Sequence, residues 1–404
     1  MERPRQALIL AGGRGTRLRP MTDTLPKPMI PFHGKPFLEY LIELLREQGF
    51  DRILLLLGYL PGPIQSHFGD GRNWGVDIEY SVSGVEDDTG RRLKVAQSKI
   101  EPIFLLMYCD NYWPMDFEKM WKRYLEKKPT GMLTVYENKD RYTRDNVKVT
   151  GDGMVLAYDK DRTTPGLKGV DIGFALFRHE VLDLLPDENT SFERVVYPKL
   201  VERRQLHAHL TGHRYYSVST PERLKMTEQF LRKQSSAVIL DRDGVLNKKP
   251  ARAQYVRSWL EWEWLPGAKE ALRLFKEAGF RVIVVSNQAG IARGEMTEVD
   301  LIKIHERLKQ EVQTAGGEIA AIYHCPHGWD EGCECRKPRP GMLYQAQRDF
   351  HLDLHRTPFV GDDERDGQAA EAAGCPWVQV SEQQSLLDVT WRLLNGTADF
   401  SHRT

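Results

Sequence analysis

AVILDRDGVLN, residues 237–247, is a short apolar run that ends in two aspartates and a glycine. An aliphatic stretch with no polar break reads as a strand buried on both faces, the habit of parallel sheets. RVIVVSNQAG (281–290) and PFVGDDERD (358–366) repeat the grammar of an apolar strand followed by a polar loop. QALIL (6–10) does so too, running into a glycine-rich loop. Successive strand–loop–helix units imply parallel sheets with helices on both faces, and such sheets carry ligands at the carboxyl ends of their strands. The fold class expected is therefore α/β, with two doubly wound, mainly parallel-sheet domains.

At 404 residues the chain exceeds one ordinary domain. TPERLKMTEQFLRKQSSA (220–237) separates the two strand-led segments as an amphipathic helix with a polar end, which places the domains at 1–233 and 234–404. Hydrophobic residues make up 41% and charged residues 28%, enough for two cores. Lysine plus arginine equals aspartate plus glutamate at 57 each, so charge gives no case for nucleic acid or for a membrane surface as partner. The longest apolar run, Ile53 to Leu57, is far too short to span a bilayer. Arginines before QALIL superficially suggest a secretory signal, but the apolar stretch runs into glycines and arginines. Five cysteines, three of them clustered, suit a reducing compartment and a metal, so the cytoplasm is the expected location.

A lone pair of aspartates two residues apart says little. Here three further elements follow in order: Ser286 and Asn287, donors suited to a phosphoryl oxygen; Lys337, a fixed positive charge; and Asp362 with Asp363, carboxylates suited to magnesium. As a set they predict phosphoryl chemistry. Asp241 would attack phosphorus and form an aspartyl-phosphate, and Asp243 would protonate the leaving oxygen and later deprotonate water. Magnesium held by Asp241, the Asp243 backbone carbonyl and Asp362 would offset repulsion between carboxylate and phosphate. Ser286 and Lys337 would hold the transferring oxygens.

YHCPHGWDEGCECRKP (323–338) adds Cys325, His327, Cys333 and Cys335. Three thiolates and an imidazole match a closed tetrahedral zinc site in ligand type and number. Arg336 and Lys337 follow its last ligand, so a structural Zn2+ here would aim them at substrate. His324 is taken as a non-ligand.

The order of these motifs resembles the haloacid dehalogenase-like superfamily. DRDGVLN, SNQAGIARG, CPH…CECRKPRPGM and VGDDERD look more narrowly like its histidinol-phosphatase and heptose-bisphosphate phosphatase branch. That resemblance covers most of residues 237–380 and implies a Rossmannoid domain that removes a terminal phosphate from a small sugar or polyol phosphate. It also makes Arg293 and Arg336 candidates for the distal end of the substrate.

The first half begins ALILAGGRGTRLRPMTDTLPKPMIPFHGKP (7–36), where Gly12, Gly13 and Gly15 would let backbone amides approach a triphosphate, with Arg17 and Lys27 supplying charge. GGRGTRLRP followed by LPKP resembles the nucleotidyltransferases that join sugar 1-phosphates to nucleoside triphosphates. The resemblance runs over roughly residues 5–230 and implies a Rossmann-like domain. It makes Thr16 of the loop a nucleotide contact, Asp110 a metal ligand and Lys160 a sugar-phosphate lysine, and it takes in VDIGFALF around Gly173. Departures from the pattern are equally specific. The base loop is EDDTGRRL, which keeps Thr89 and Gly90 but brings negative charge at Asp87 and Asp88 and bulk at Arg91 and Arg92, where the family has small residues that let the base approach. Cys109 replaces a glycine, and Ser217 stands where the family has its second metal aspartate. A working transferase and a domain retained as scaffold both fit that pattern.

Stripping one phosphate from a heptose 1,7-bisphosphate leaves a sugar 1-phosphate, the kind of substrate a nucleotidyltransferase takes. The expected protein is thus a bifunctional enzyme of nucleotide-activated heptose synthesis. Its partners would be a small-molecule sugar phosphate and a nucleoside triphosphate. A phosphatase with an inert first domain, or a histidinol-phosphate phosphatase, are the alternatives.

Overall fold

The computed structural model describes residues 1–232 and 236–396 and divides into two compact units, Met1–Arg232 and Lys233–Thr404. The expected junction at residue 233 lies outside the described residues.

The first unit is built on a seven-stranded sheet. From edge to edge its strands are Leu206–Thr211, Gly131–Tyr136, Val170–Arg178, Ile103–Tyr108, Gln6–Ala11, Arg52–Leu57 and Asp77–Val82. Val170–Arg178 runs antiparallel to both neighbours, and the other pairings are parallel. Both faces are buried. Ala7, Ile9 and Ala11 join one core cluster while Leu8 and Leu10 join another, as alternation along a strand requires.

The second unit has a five-stranded sheet, all parallel, in the order Ala321–Cys325, Arg281–Asn287, Ala237–Asp241, Phe359–Gly361, Trp377–Gln379. Val238 and Leu240 face one core, Ala237 and Ile239 the other. Because every strand points the same way, Asp241, Ser286, Cys325 and Asp362 all emerge at one sheet edge. Gly244 turns the chain there with a φ of 93°, and a Cβ at that position would lie 2.3 Å from the Asp362 carboxylate. Only glycine satisfies both demands. Among the described residues no helix is long and apolar enough to cross a membrane.

Candidate active sites

In the second unit the strand ends open into a cleft of about 860 Å³, lined by Asp241, Asp243, Ser286, Asn287, Gln288, Arg336 and Lys337 among others. The centre is a triangle of charge. Lys337 Nζ lies 2.7 Å from both Asp241 Oδ1 and Asp366 Oδ1, and the lysine is only 3% exposed. Burial opposes the lysine charge, but the two carboxylates outweigh it and raise its pKa. Burial raises the Asp241 carboxyl; Lys337 opposes that rise and Asp366 adds to it. The lysine backbone is clamped as well. Asn287 accepts from Lys337 N at 3.0 Å and donates to Lys337 O at 3.1 Å. Its amide therefore positions the lysine loop at both ends.

Asp243 is held by a group that the motif reading did not single out. Arg242, wholly buried, donates through Nη2 to both Asp243 oxygens at 3.0 and 2.9 Å, and through Nε at 3.2 Å. Asn247 and Gln288 amides donate to the same carboxylate at 2.8 and 3.0 Å. Four donors thus fix the orientation of this carboxylate.

Three carboxylates, Asp241, Asp362 and Asp366, bring oxygens within 4.8 Å of one another. Asp362 Oδ1 is buried and accepts no hydrogen bond among the described residues, while Lys249 holds Oδ2 at 2.8 Å. An orphaned buried oxygen beside two further carboxylates is a donor set fitted to a hard divalent cation. Asp366 joins Asp241 and Asp362 in this cluster, and Asp363, expected with Asp362 as a carboxylate suited to magnesium, does not. Asp363 instead caps the helix Glu364–Ala373 and pairs with Arg365 and Lys249; hydrogen bonds from Arg365 hold its carboxyl well below the usual range. Adjacency in sequence suggested Asp362–Asp363, whereas one helical turn separates the residues that converge. The side chain of Asp243 lies outside the cluster.

Cys325, His327, Cys333 and Cys335 also converge within 4.8 Å. Sγ separations are 3.5 and 3.6 Å, and His327 Nδ1 lies 3.5 and 3.3 Å from Cys325 and Cys335. A tetrahedron of ~2.3 Å metal–sulfur bonds has edges of about 3.8 Å, so the four groups fit zinc. His324 turns away to Glu298 at 2.6 Å. Arg336 lines the cleft and donates to His327 O, whereas Arg293 stacks over Trp329 and is not part of the cleft lining.

The first unit holds a smaller cavity of about 320 Å³, lined by Gly12, Gly13, Gly15, Thr16, Arg17, Lys27, Asp87, Asp88, Thr89, Arg92 and Asp110 among others. Parallel pairing of Leu10 with Tyr108 brings the glycine loop beside Asp110. Lys27 Nζ is 2.6 Å from Asp110 Oδ2, so the expected phosphate lysine and metal aspartate neutralise each other here. The altered base loop folds as a helix start: Asp88 caps Thr89–Ala96 and Asp87 accepts from Gly84 N. Arg92, expected as an obstruction to the base, is instead a buried strut. It donates to the carbonyls of Leu57, Gly12 and Val85 and to Ser83 Oγ. Its guanidinium lies where a Cβ on Gly12 or Gly58 would come within 2.3 Å.

Lys160 and Gly90 are outside the cavity lining. Lys160 contacts Ser191 Oγ at 2.9 Å and the buried Glu193 at 3.3 Å. Glu193, raised by burial, also receives Thr89 Oγ1 and the Tyr108 hydroxyl. Ser217 is buried with its hydroxyl 2.7 Å from that of Ser219, and among the described residues Asp110 belongs to no cluster of three or more metal-type side chains.

Comparison with known proteins agrees with this division. The nucleotidyl transferase family profile matches residues 6–216, and the polynucleotide kinase 3 phosphatase profile matches 237–377. A D-glycero-beta-D-manno-heptose-1,7-bisphosphate 7-phosphatase of Bordetella bronchiseptica is 44% identical over 142 residues, 35% of this chain and 78% of that protein. The D-glycero-alpha-D-manno-heptose-1,7-bisphosphate 7-phosphatase of Campylobacter jejuni is 40% identical over 135 residues, 33% of this chain and 76% of that protein. A solved structure from Bacillus anthracis, provisionally a glucose-1-phosphate thymidylyltransferase, covers 57% of this chain and 96% of its own, with 18% identity and a TM-score of 0.51. That last likeness concerns the fold alone. The chain therefore belongs to the nucleotidyl transferase family through its first unit and, through its second, to the phosphatase family of those heptose-bisphosphate relatives.

Proposed function

We propose that the protein is a bifunctional enzyme that removes the 7-phosphate of a heptose 1,7-bisphosphate and transfers a nucleotidyl group onto the resulting heptose 1-phosphate. The observation that carries this reading is the Asp241–Lys337–Asp366 triangle, placed in one chain with a nucleotidyltransferase fold. In the second unit Asp241 is the nucleophile and Asp243 the proton carrier, with Ser286 and Lys337 on the phosphoryl oxygens. Arg336, in the cleft beside Lys337, takes the distal phosphate. Asp241, Asp362 and Asp366 are the side chains that would hold Mg2+, which supplies charge neutralisation between nucleophile and phosphate. The four Cys and His groups would hold Zn2+ and shape the loop that carries Arg336 and Lys337. Reduced thiols at all five cysteines are compatible with a cytoplasmic location.

In the first unit the glycine loop and Arg17 would receive the triphosphate, with Lys27 and Asp110 releasing each other when nucleotide and metal arrive. The test is incubation with heptose 1,7-bisphosphate, Mg2+ and each nucleoside triphosphate in turn, following phosphate and pyrophosphate together. Release of both, with pyrophosphate dependent on one triphosphate, is the expected result. Phosphate alone would leave the first unit a scaffold, and faster turnover of histidinol phosphate would overturn the heptose assignment.

Two predictions arise here. Burial raises the carboxyls of both Asp241 and Asp362. Raised carboxyls bind protons that a cation must displace, so Mg2+ affinity should increase between about pH 6 and 8, with proton release on binding. Titration calorimetry in buffers of different ionisation enthalpy measures both; affinity flat across that range would refute it. Ser217→Asp restores a carboxylate near Asp110 and should raise pyrophosphate release at limiting Mg2+ by about tenfold. An unchanged rate would mean that one aspartate suffices.

A further inference from the structure

Gln288 follows the two residues that the motif reading assigned to phosphate, yet it is the side chain that connects the groups around the reacting centre. It lines the cleft and is 1% exposed. Its Nε2 donates to Ser286 Oγ at 2.7 Å and to Asp243 Oδ2 at 3.0 Å. Its backbone N–H is anchored on Cys325 O at 2.8 Å, so the residue is fixed from both ends. The amide oxygen, Oε1, is buried and accepts no hydrogen bond among the described residues. A buried acceptor left unused carries a cost that a bound O–H donor would remove. Here that acceptor sits on the same amide group that holds the proton carrier.

We propose that Gln288 Oε1 orients the water that hydrolyses the aspartyl-phosphate. The inference rests on the reading of Asp241 as nucleophile. In that step the water oxygen bonds to phosphorus as the bond between phosphorus and the Asp241 oxygen breaks, and the electron pair returns to the Asp241 carboxylate. One water proton passes to Asp243. The other stays on the new phosphate oxygen, and during attack it points at Gln288 Oε1. Because one amide contacts both the water and Asp243, it sets the angle between the attacking lone pair and the accepting carboxylate. The first half-reaction has no attacking water and does not need this acceptor. Oε1 therefore acts on dephosphorylation alone, while Nε2, through Asp243 and Ser286, serves both half-reactions, so loss of the amide slows the second step more than the first.

The test uses the full-length protein, heptose 1,7-bisphosphate labelled in the 7-phosphate, and rapid acid quench. Gln288→Leu keeps the shape of the side chain and removes its polar atoms. Labelled protein should accumulate in the variant to near one phosphoryl group per chain, with steady-state turnover reduced about a hundredfold. Formation of that label also reports that the variant is folded. Gln288→Ala, which leaves room for a second water in place of the amide, should lose less turnover and accumulate less label. If Gln288→Leu slows formation and loss of the label equally, or turns over as wild type does, the inference is overturned. Label found on any residue other than Asp241 in the wild-type protein would instead overturn the nucleophile reading itself.

Discussion

Asp241→Asn should lower phosphate release by at least about 10^4-fold, because the amide is no nucleophile and no neighbouring group replaces it. Lys337 and Asp366 are placed to hold charge, and Asp243 is already committed to Arg242, Asn247 and Gln288. The fold should survive. Asp241's carboxyl is raised by burial, so in the metal-free protein its ionised form is disfavoured relative to the unfolded chain. The stability contributed by the protonated form is present at low pH and lost as pH rises through the raised value. An amide carries no such charge, and Lys337 keeps Asp366 as partner. The metal-free melting temperature should stay within about 3 °C of wild type. Loss of turnover together with a large fall in melting temperature would mean that the substitution unfolds the site. Retained turnover would place the nucleophile elsewhere.

Cys333→Ser should reduce zinc to well below one ion per chain and lower the melting transition of the second unit by about 10 °C or more. Cys335, Arg336 and Lys337 are consecutive, so a loop freed from the metal also frees the lysine that contacts Asp241. Turnover should therefore fall by about a hundredfold even at temperatures where the sheet stays folded. Metal analysis and calorimetry on the same preparation decide the matter. Full zinc content with an unchanged transition would show that the remaining three ligands suffice. Loss of zinc with unchanged turnover would show that Asn287, which grips the lysine backbone, orders the loop by itself.

Strand ends were legible in the sequence because a parallel sheet buried on both faces needs apolar runs, and the first polar residue after each run marks the functional edge. Asp241 and Ser286 follow directly from that rule, while the zinc quartet was legible from the clustering of three cysteines and a histidine. Asp366 was not legible as a carboxylate of the cluster, since two adjacent aspartates earlier in the same motif drew the reading. The helix that starts at Glu364 turns Asp366 inward beside Lys337 while Asp363 caps its end. Arg242 and Gln288 were hidden for a different reason. Each is a neighbour of a motif residue, and only the burial of its side chain separates a structural partner from a solvated one. In the first unit the change at the base loop was legible, but its outcome was not. A bulky arginine looks obstructive until its guanidinium is seen to be bonded to three main-chain carbonyls.

That arginine ties together three positions far apart in the chain. With its guanidinium packed against Gly12 and Gly58, any side chain at either glycine would collide with it. A side chain introduced at either position would therefore displace the guanidinium and break its bonds to the carbonyls of Leu57, Gly12 and Val85. Gly12→Ala in the wild-type background would thus reshape the cavity through a moved Arg92, whereas on Arg92→Ala the same substitution would meet no guanidinium.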